Sequence, residues 1–145
     1  MKFISLRSFT RFPPLSSLLA WFGIAFILHL AWENAQAPFY IGFESFAQHF
    51  WMCLYATVTG DMIFMGVIYI ALASSFADTD WLRRPGLLRH PATWTLPLIV
   101  GILLATCYEL WAIHVEERWI YGELMPTVPV LHVGLLPLIQ MIVIP

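Results

Sequence analysis

Four long apolar runs, separated by short polar stretches, organise this chain; they cover about residues 15–33, 51–76, 94–113 and 128–145. Within each run the apolar positions are continuous and do not alternate, which points to membrane helices and away from barrel strands. A helix rises about 1.5 Å per residue, so about 20 residues cross a hydrocarbon core of about 30 Å. The first three runs are long enough. The fourth is marginal, because Pro126, Pro129 and Pro137 make it irregular and no charged residue ends it. The pattern predicts an all-α polytopic membrane protein, a bundle of about four transmembrane helices forming one domain over residues 1–145.

The informative positions are those that break the apolar runs. His29 and Glu33 lie one helical turn apart near the end of the first run and so share a face. Asp61 interrupts the second run, about 15 Å below Trp51 by helix rise. Thr57 stands one turn above it, and Ala56 and Gly60 form a small-xxx-small pair suited to close helix packing. Glu109 closes the third run, followed by His114 and by Glu116, which shares the face of Glu109 if the helix continues. His132 and Gln140 lie on the fourth. An ionised group at mid-membrane costs about 2.5–3.5 kcal/mol on insertion scales, so these side chains are expected to face a cavity or one another.

Composition and charge sharpen this picture. Of 145 residues, 60% are hydrophobic and 11% charged, against roughly 45–50% and about 25% in soluble domains. A chain this short has too little interior for so much apolar surface, and lipid is the simplest solvent for it. The net charge of −2 and the absence of a basic run argue against a nucleic-acid partner. Lys2, Arg7 and Arg11 precede the first run, and Arg83, Arg84 and Arg89 lie between the second and third. Only Arg118 follows the third, so the positive-inside rule puts the N-terminus in the cytoplasm and the 34–50 and 114–127 loops outside. Ala35-Gln36-Ala37 imitates a signal-peptidase site, but the long apolar run and Pro38 favour an uncleaved first helix. The expected location is a cell membrane, specifically a bacterial inner membrane, with the lipid bilayer as the first partner.

This topology gathers His29, Glu33, Asp61, Glu109, His114 and His132 at the outer half of the bundle and leaves the inner half almost free of ionisable groups. Imidazole and carboxylate suit a divalent metal ion. The same acids, above all Asp61, Glu33 and Glu109, suit acid–base catalysis on a lipid-like small molecule, with Gln36, Thr57 and Gln140 completing a polar pocket. The chain has no Glu-x-x-His or His-Glu-x-x-His element, no phosphate loop and no Gly-x-Ser-x-Gly elbow. Cys53 and Cys107 are isolated and read as packing residues. Glu116, Glu117 and Glu123 read as a solvated loop face, and Trp111, Trp119 and Tyr121 as interfacial anchors.

Trp32-Glu33-Asn34-Ala35-Gln36-Ala37-Pro38-Phe39-Tyr40, Gly60-Asp61, Arg118-Trp119-Ile120-Tyr121 and Gly134-Leu135-Leu136-Pro137-Leu138-Ile139-Gln140 resemble the pattern of a group of small bacterial four-helix integral membrane proteins. The resemblance covers most of the chain. It implies no activity but singles out Glu33, Gln36, Asp61, Glu109 and Gln140. A fainter similarity, to the small membrane subunits of carotenoid cyclases, implies a lipid-modifying enzyme; their proline-acid-acid motif is absent here. The leading expectation is an outward-facing pocket that binds a metal ion or a lipid-like ligand. Its rivals are an accessory subunit that docks on a partner membrane subunit or forms a homo-oligomer, and, third, a transporter.

Overall fold

The computed structural model describes residues 12–144. Lys2, Arg7 and Arg11, which carry part of the orientation argument, and Pro145 lie outside the described residues. Helix α1 covers Leu15–Gln36 and runs into a 3-10 turn at Ala37–Phe39. Helices α2 (Phe46–Ala56) and α3 (Met62–Phe76) are joined by a π-helical turn at Thr57–Asp61. A short α4 (Pro85–Leu88), a long α5 (Ala92–His114) and a nine-residue α6 (Leu135–Val143) follow. Three continuous helical stretches, Leu15–Phe39, Phe46–Phe76 and Ala92–His114, are long and apolar enough to cross a membrane, which makes this a helical membrane protein.

Local chemistry sets the ends. Pro14 precedes α1 and cannot extend a helix backwards. The second helix begins at Phe46, five residues before the apolar run, because Ser45 caps it: its Oγ accepts from the Gln48 amide at 3.3 Å. Ser45-Phe46-Ala47-Gln48 has the spacing of a capping box, the signal that marks this earlier start. Ala77, in left-handed conformation (φ 50°), ends α3.

The fourth apolar run differs most from expectation. Only Leu135–Val143 is helical, about 13 Å by helix rise and well short of the bilayer core. Residues 115–134 form an irregular stretch with isolated bridges, as the prolines predict. α6 packs along α5, and its Met141 lies against Gly101, halfway down that helix.

One end of the bundle is closed by aromatic packing. Trp81, 1% exposed, meets Trp21, Tyr69 and Phe76 at centroid distances of 5.4, 5.8 and 6.4 Å. Ser17 donates to Asp80 at 3.2 Å, and Tyr69 donates to the Thr79 carbonyl at 2.6 Å. At the opposite end the segments after α1 and α5 are zipped together. Ile41 N–H donates to the Ile120 carbonyl (2.9 Å) and Gly122 N–H to the Phe39 carbonyl (2.7 Å).

Candidate functional site

The zipped end carries the polar residues. α1 supplies Glu33 and Gln36, the π-helical turn Asp61, α5 Glu109, and α6 Gln140. Together they line a cavity of about 620 Å³. A π-helical turn inserts one residue into the ladder and re-aims side chains, which is why such turns recur at functional sites. Here it buries Thr57, Gly60 and Asp61 together. Gly60, which the sequence pairs with Ala56 as a helix-packing motif, lines the cavity, and a Cβ there would meet the Tyr108 ring at 4.0 Å.

A directional chain of hydrogen bonds runs through these residues. Trp32 Nε1 donates to Gln36 Oε1 (3.2 Å), and Gln36 Nε2 donates to Glu33 Oε1 (2.9 Å) and, at 3.5 Å, to Gln140 Oε1. Gln140 Nε2 lies 2.8 Å from His29 Nδ1, and Asp61 Oδ1 lies 3.5 Å from the same nitrogen. The shorter contact makes Nδ1 an acceptor from the amide and His29 the neutral end of the chain. A primary amide both donates and accepts, so Gln36 and Gln140 link carboxyl and imidazole groups that could not all bond each other directly. His29 Nε2, Thr57 Oγ1 and Asp61 Oδ2 are buried without a hydrogen-bond partner among the described residues. Native interiors rarely leave such groups unpaired; Trp81 Nε1, in the aromatic packing at the other end, is the fourth among the described residues.

Glu109 is held from the opposite wall. Trp119 Nε1 donates to its Oε2 at 3.4 Å, and the Tyr121 hydroxyl donates a short hydrogen bond to the same oxygen. Tyr121 in turn accepts from the Gly134 N–H at 2.7 Å, fastening the 115–134 stretch at the start of α6. Burial pushes the phenol pKa of Tyr40 and of Tyr121 far above its ordinary value, and the Glu109 carboxyl beside them adds to the shift. Arg118 is pinned away from the acids. Its Nη1 donates to Tyr108 Oη (3.1 Å), its Nε lies 3.8 Å from Glu116 Oε2, and its guanidinium stacks 4.6 Å over Trp111.

The structure therefore brings together His29, Glu33, Gln36, Asp61 and Gln140, with Thr57 buried in the same turn as Asp61 and Glu109 across the cavity. It leaves out His114 and His132, both exposed. His114 is five positions beyond Glu109 on α5, a rotation of about 140° that turns it off the inward face. His132 sits in a turn with φ 53°. The helix also stops at His114, so Glu116 does not continue the Glu109 face. Among the described residues no group of three His, Cys, Asp or Glu side chains is placed to hold a metal ion. Cys53 is buried on the cavity wall, whereas Cys107 is exposed and is no packing residue.

Trp119 and Tyr121, expected as interfacial anchors, are also hydrogen-bond partners of Glu109. A period-two signal for this lay in the chain. Arg118-Trp119-Ile120-Tyr121 is extended, Ile120 is 64% exposed, and Trp119 and Tyr121 point the other way. No protein-family model, curated protein or solved structure matches the chain.

Proposed function

We propose that this protein binds a lipid-like amphiphile in its cavity, with Glu33, Asp61 and Glu109 as the acid–base groups available for chemistry on it. The supporting observation is the composition of the wall. Apolar and aromatic side chains form most of it, and three carboxyl-bearing residues line it, Glu33 from α1, Asp61 from the π-helical turn and Glu109 from α5 across the cavity. Ligand sites have this character, largely apolar with a few placed polar groups, and about 620 Å³ lies within the range of small-molecule pockets. The Trp81 plug at the other end favours a dead-end pocket over a through-pathway. The pattern of Glu33, Gln36, Asp61, Glu109 and Gln140 in the resembling bacterial proteins would then be the pattern of one ligand site.

In this reading the N-terminus and the Arg83–Arg84–Arg89 loop lie in the cytoplasm and the cavity opens outward. α6 is a fourth element that enters from the outer side and ends partway down, and the membrane is a bacterial inner membrane. Asp61→Asn keeps the shape of the side chain but removes its charge. The expected outcome is loss of the lipid that co-purifies with the wild-type protein in mild detergent, read by mass spectrometry, with the helical circular-dichroism signal retained. A folded Asp61→Asn variant carrying its full complement of the same lipid would sink the proposal.

The short α6 supports a second reading, an accessory subunit whose fourth element packs against a partner. Purification from native membranes separates the two, since a stoichiometric second polypeptide favours the partner and a homogeneous chain carrying lipid favours the pocket.

A further inference from the structure

We infer that the head group taken by this cavity is an ammonium, on a long apolar chain or as a free amine. The inference rests on the amphiphile-binding reading and specifies its ligand.

The charge balance of the wall carries the argument. Glu33, Asp61 and Glu109 line the cavity, and its basic side chains are Arg118 and His49. Arg118 is already engaged by Tyr108, Glu116 and the Trp111 ring. His49 stands at the outer rim on the first turn of α2, its ring 5.5 Å from Phe43. Neither contacts an acid on the wall, so the acids are left with neutral neighbours. Trp119 and Tyr121 both donate to Glu109 Oε2, which leaves Oε1 without a donor among the described residues. Asp61 Oδ2, itself buried, has no hydrogen-bond partner among the described residues. The wall thus holds carboxyl groups without a basic partner, and a group with a positive charge and several N–H or polarised C–H donors complements them.

The aromatic residues point the same way. Tyr40, Trp51, Tyr55, Tyr108 and Trp119 all line the same cavity, and Trp119 touches Glu109 directly. Aromatic rings beside a desolvated cation contribute through their quadrupole, and recognition of ammonium groups by aromatic cages is the usual form of that contact. A phosphate or carboxylate head would instead meet three acids and find its only guanidinium occupied.

The test compares ligands of one chain length in the wild-type protein. Trp51 and Trp119 line the cavity, so intrinsic tryptophan fluorescence reports occupancy. Dodecyltrimethylammonium, dodecylamine, dodecanol and dodecyl phosphate are titrated against protein in a neutral detergent, with tetramethylammonium added as a chain-free probe. The expected result is that both ammonium amphiphiles bind about tenfold or more tightly than dodecanol, as a desolvated cation–aromatic contact predicts, and that dodecyl phosphate binds least. Saturable binding of tetramethylammonium assigns recognition to the free head group, and its absence beside tight long-chain binding assigns it to a lipid; both support the ammonium. Equal binding of all four amphiphiles, or preference for the phosphate, overturns the head-group inference and leaves the amphiphile pocket standing. Binding of none overturns both. Glu33→Gln and Asp61→Asn are expected to erase the preference for ammonium over dodecanol. Because the comparison of heads is made in the wild-type protein, misfolding of a variant does not blunt it.

Discussion

Tyr121 ties two walls of the cavity end together. Its hydroxyl donates to Glu109 and accepts from the Gly134 N–H, so a single oxygen joins α5 to the start of α6. Tyr121→Phe leaves a buried carboxyl and a buried amide each short of a partner, and such losses cost about 1–3 kcal/mol each. The expected outcome is a clear fall in thermal unfolding temperature in detergent. The same residue carries a pH dependence. Tyr40 and Tyr121 hold their protons in the fold far above the usual range, whereas an unfolded tyrosine ionises near about pH 10. A group whose folded pKa is raised contributes fully below its unfolded pKa and less as pH rises beyond it. Stability is therefore expected to fall above about pH 10, and more shallowly in Tyr121→Phe than in wild type. Equal alkaline slopes in the two proteins would remove Tyr121 from this role.

Among the elements, the contact of α6 with α5 is the most exacting. A Cβ at Gly101 would lie 3.0 Å from the Met141 carbonyl oxygen and 3.4 Å from its side chain. A backbone oxygen yields less readily than a flexible side chain, so Gly101→Ala is expected to destabilise by about 1–3 kcal/mol, the usual cost of overpacking. Gly23 on α1 is the control, because a Cβ there meets nothing within 4 Å. Gly23→Ala should leave stability unchanged or raise it by about 1 kcal/mol through helix propensity. Thermal unfolding of the two variants side by side checks both, and equal effects would mean α6 does not depend on this approach. α1 and α5 themselves were legible from their apolar runs. The π-helical turn was not, because Thr57-Val58-Thr59-Gly60-Asp61 has no local signal that separates an inserted residue from a regular turn.

At the scale of the molecule, the bundle has one aromatic, closed end and one polar, zipped end. The positive-inside rule predicts that the Arg83–Arg89 loop faces the cytoplasm. Single cysteines at Glu123 and Arg89, both exposed, test this in a Cys53→Ser, Cys107→Ser background. A membrane-impermeant maleimide on intact cells is expected to label the cysteine at 123 and spare that at 89. The reverse pattern would turn the cavity toward the cytoplasm and move its ligand to the inner leaflet.

The sequence by itself determined the membrane class, the three long helices and the concentration of acids toward one end. Each follows from solvent preference along a single chain, and a continuous apolar run reads the same whatever lies beside it. It also identified Glu33, Gln36, Asp61, Glu109 and Gln140 as candidates. Only the tertiary structure decided which of these meet. α1 and α5 are apolar all the way round, so lipid and core accept the same residues and helix rotation leaves no mark in the pattern. Rotation is what excludes His114 from the cavity, and the π-helical turn is what buries Asp61 in its wall. The fate of the fourth run was likewise tertiary. Its helix begins at Leu135, whose amide donates to the Pro126 carbonyl at 2.7 Å while the Gly134 amide donates to the Tyr121 hydroxyl, contacts that no local pattern announces.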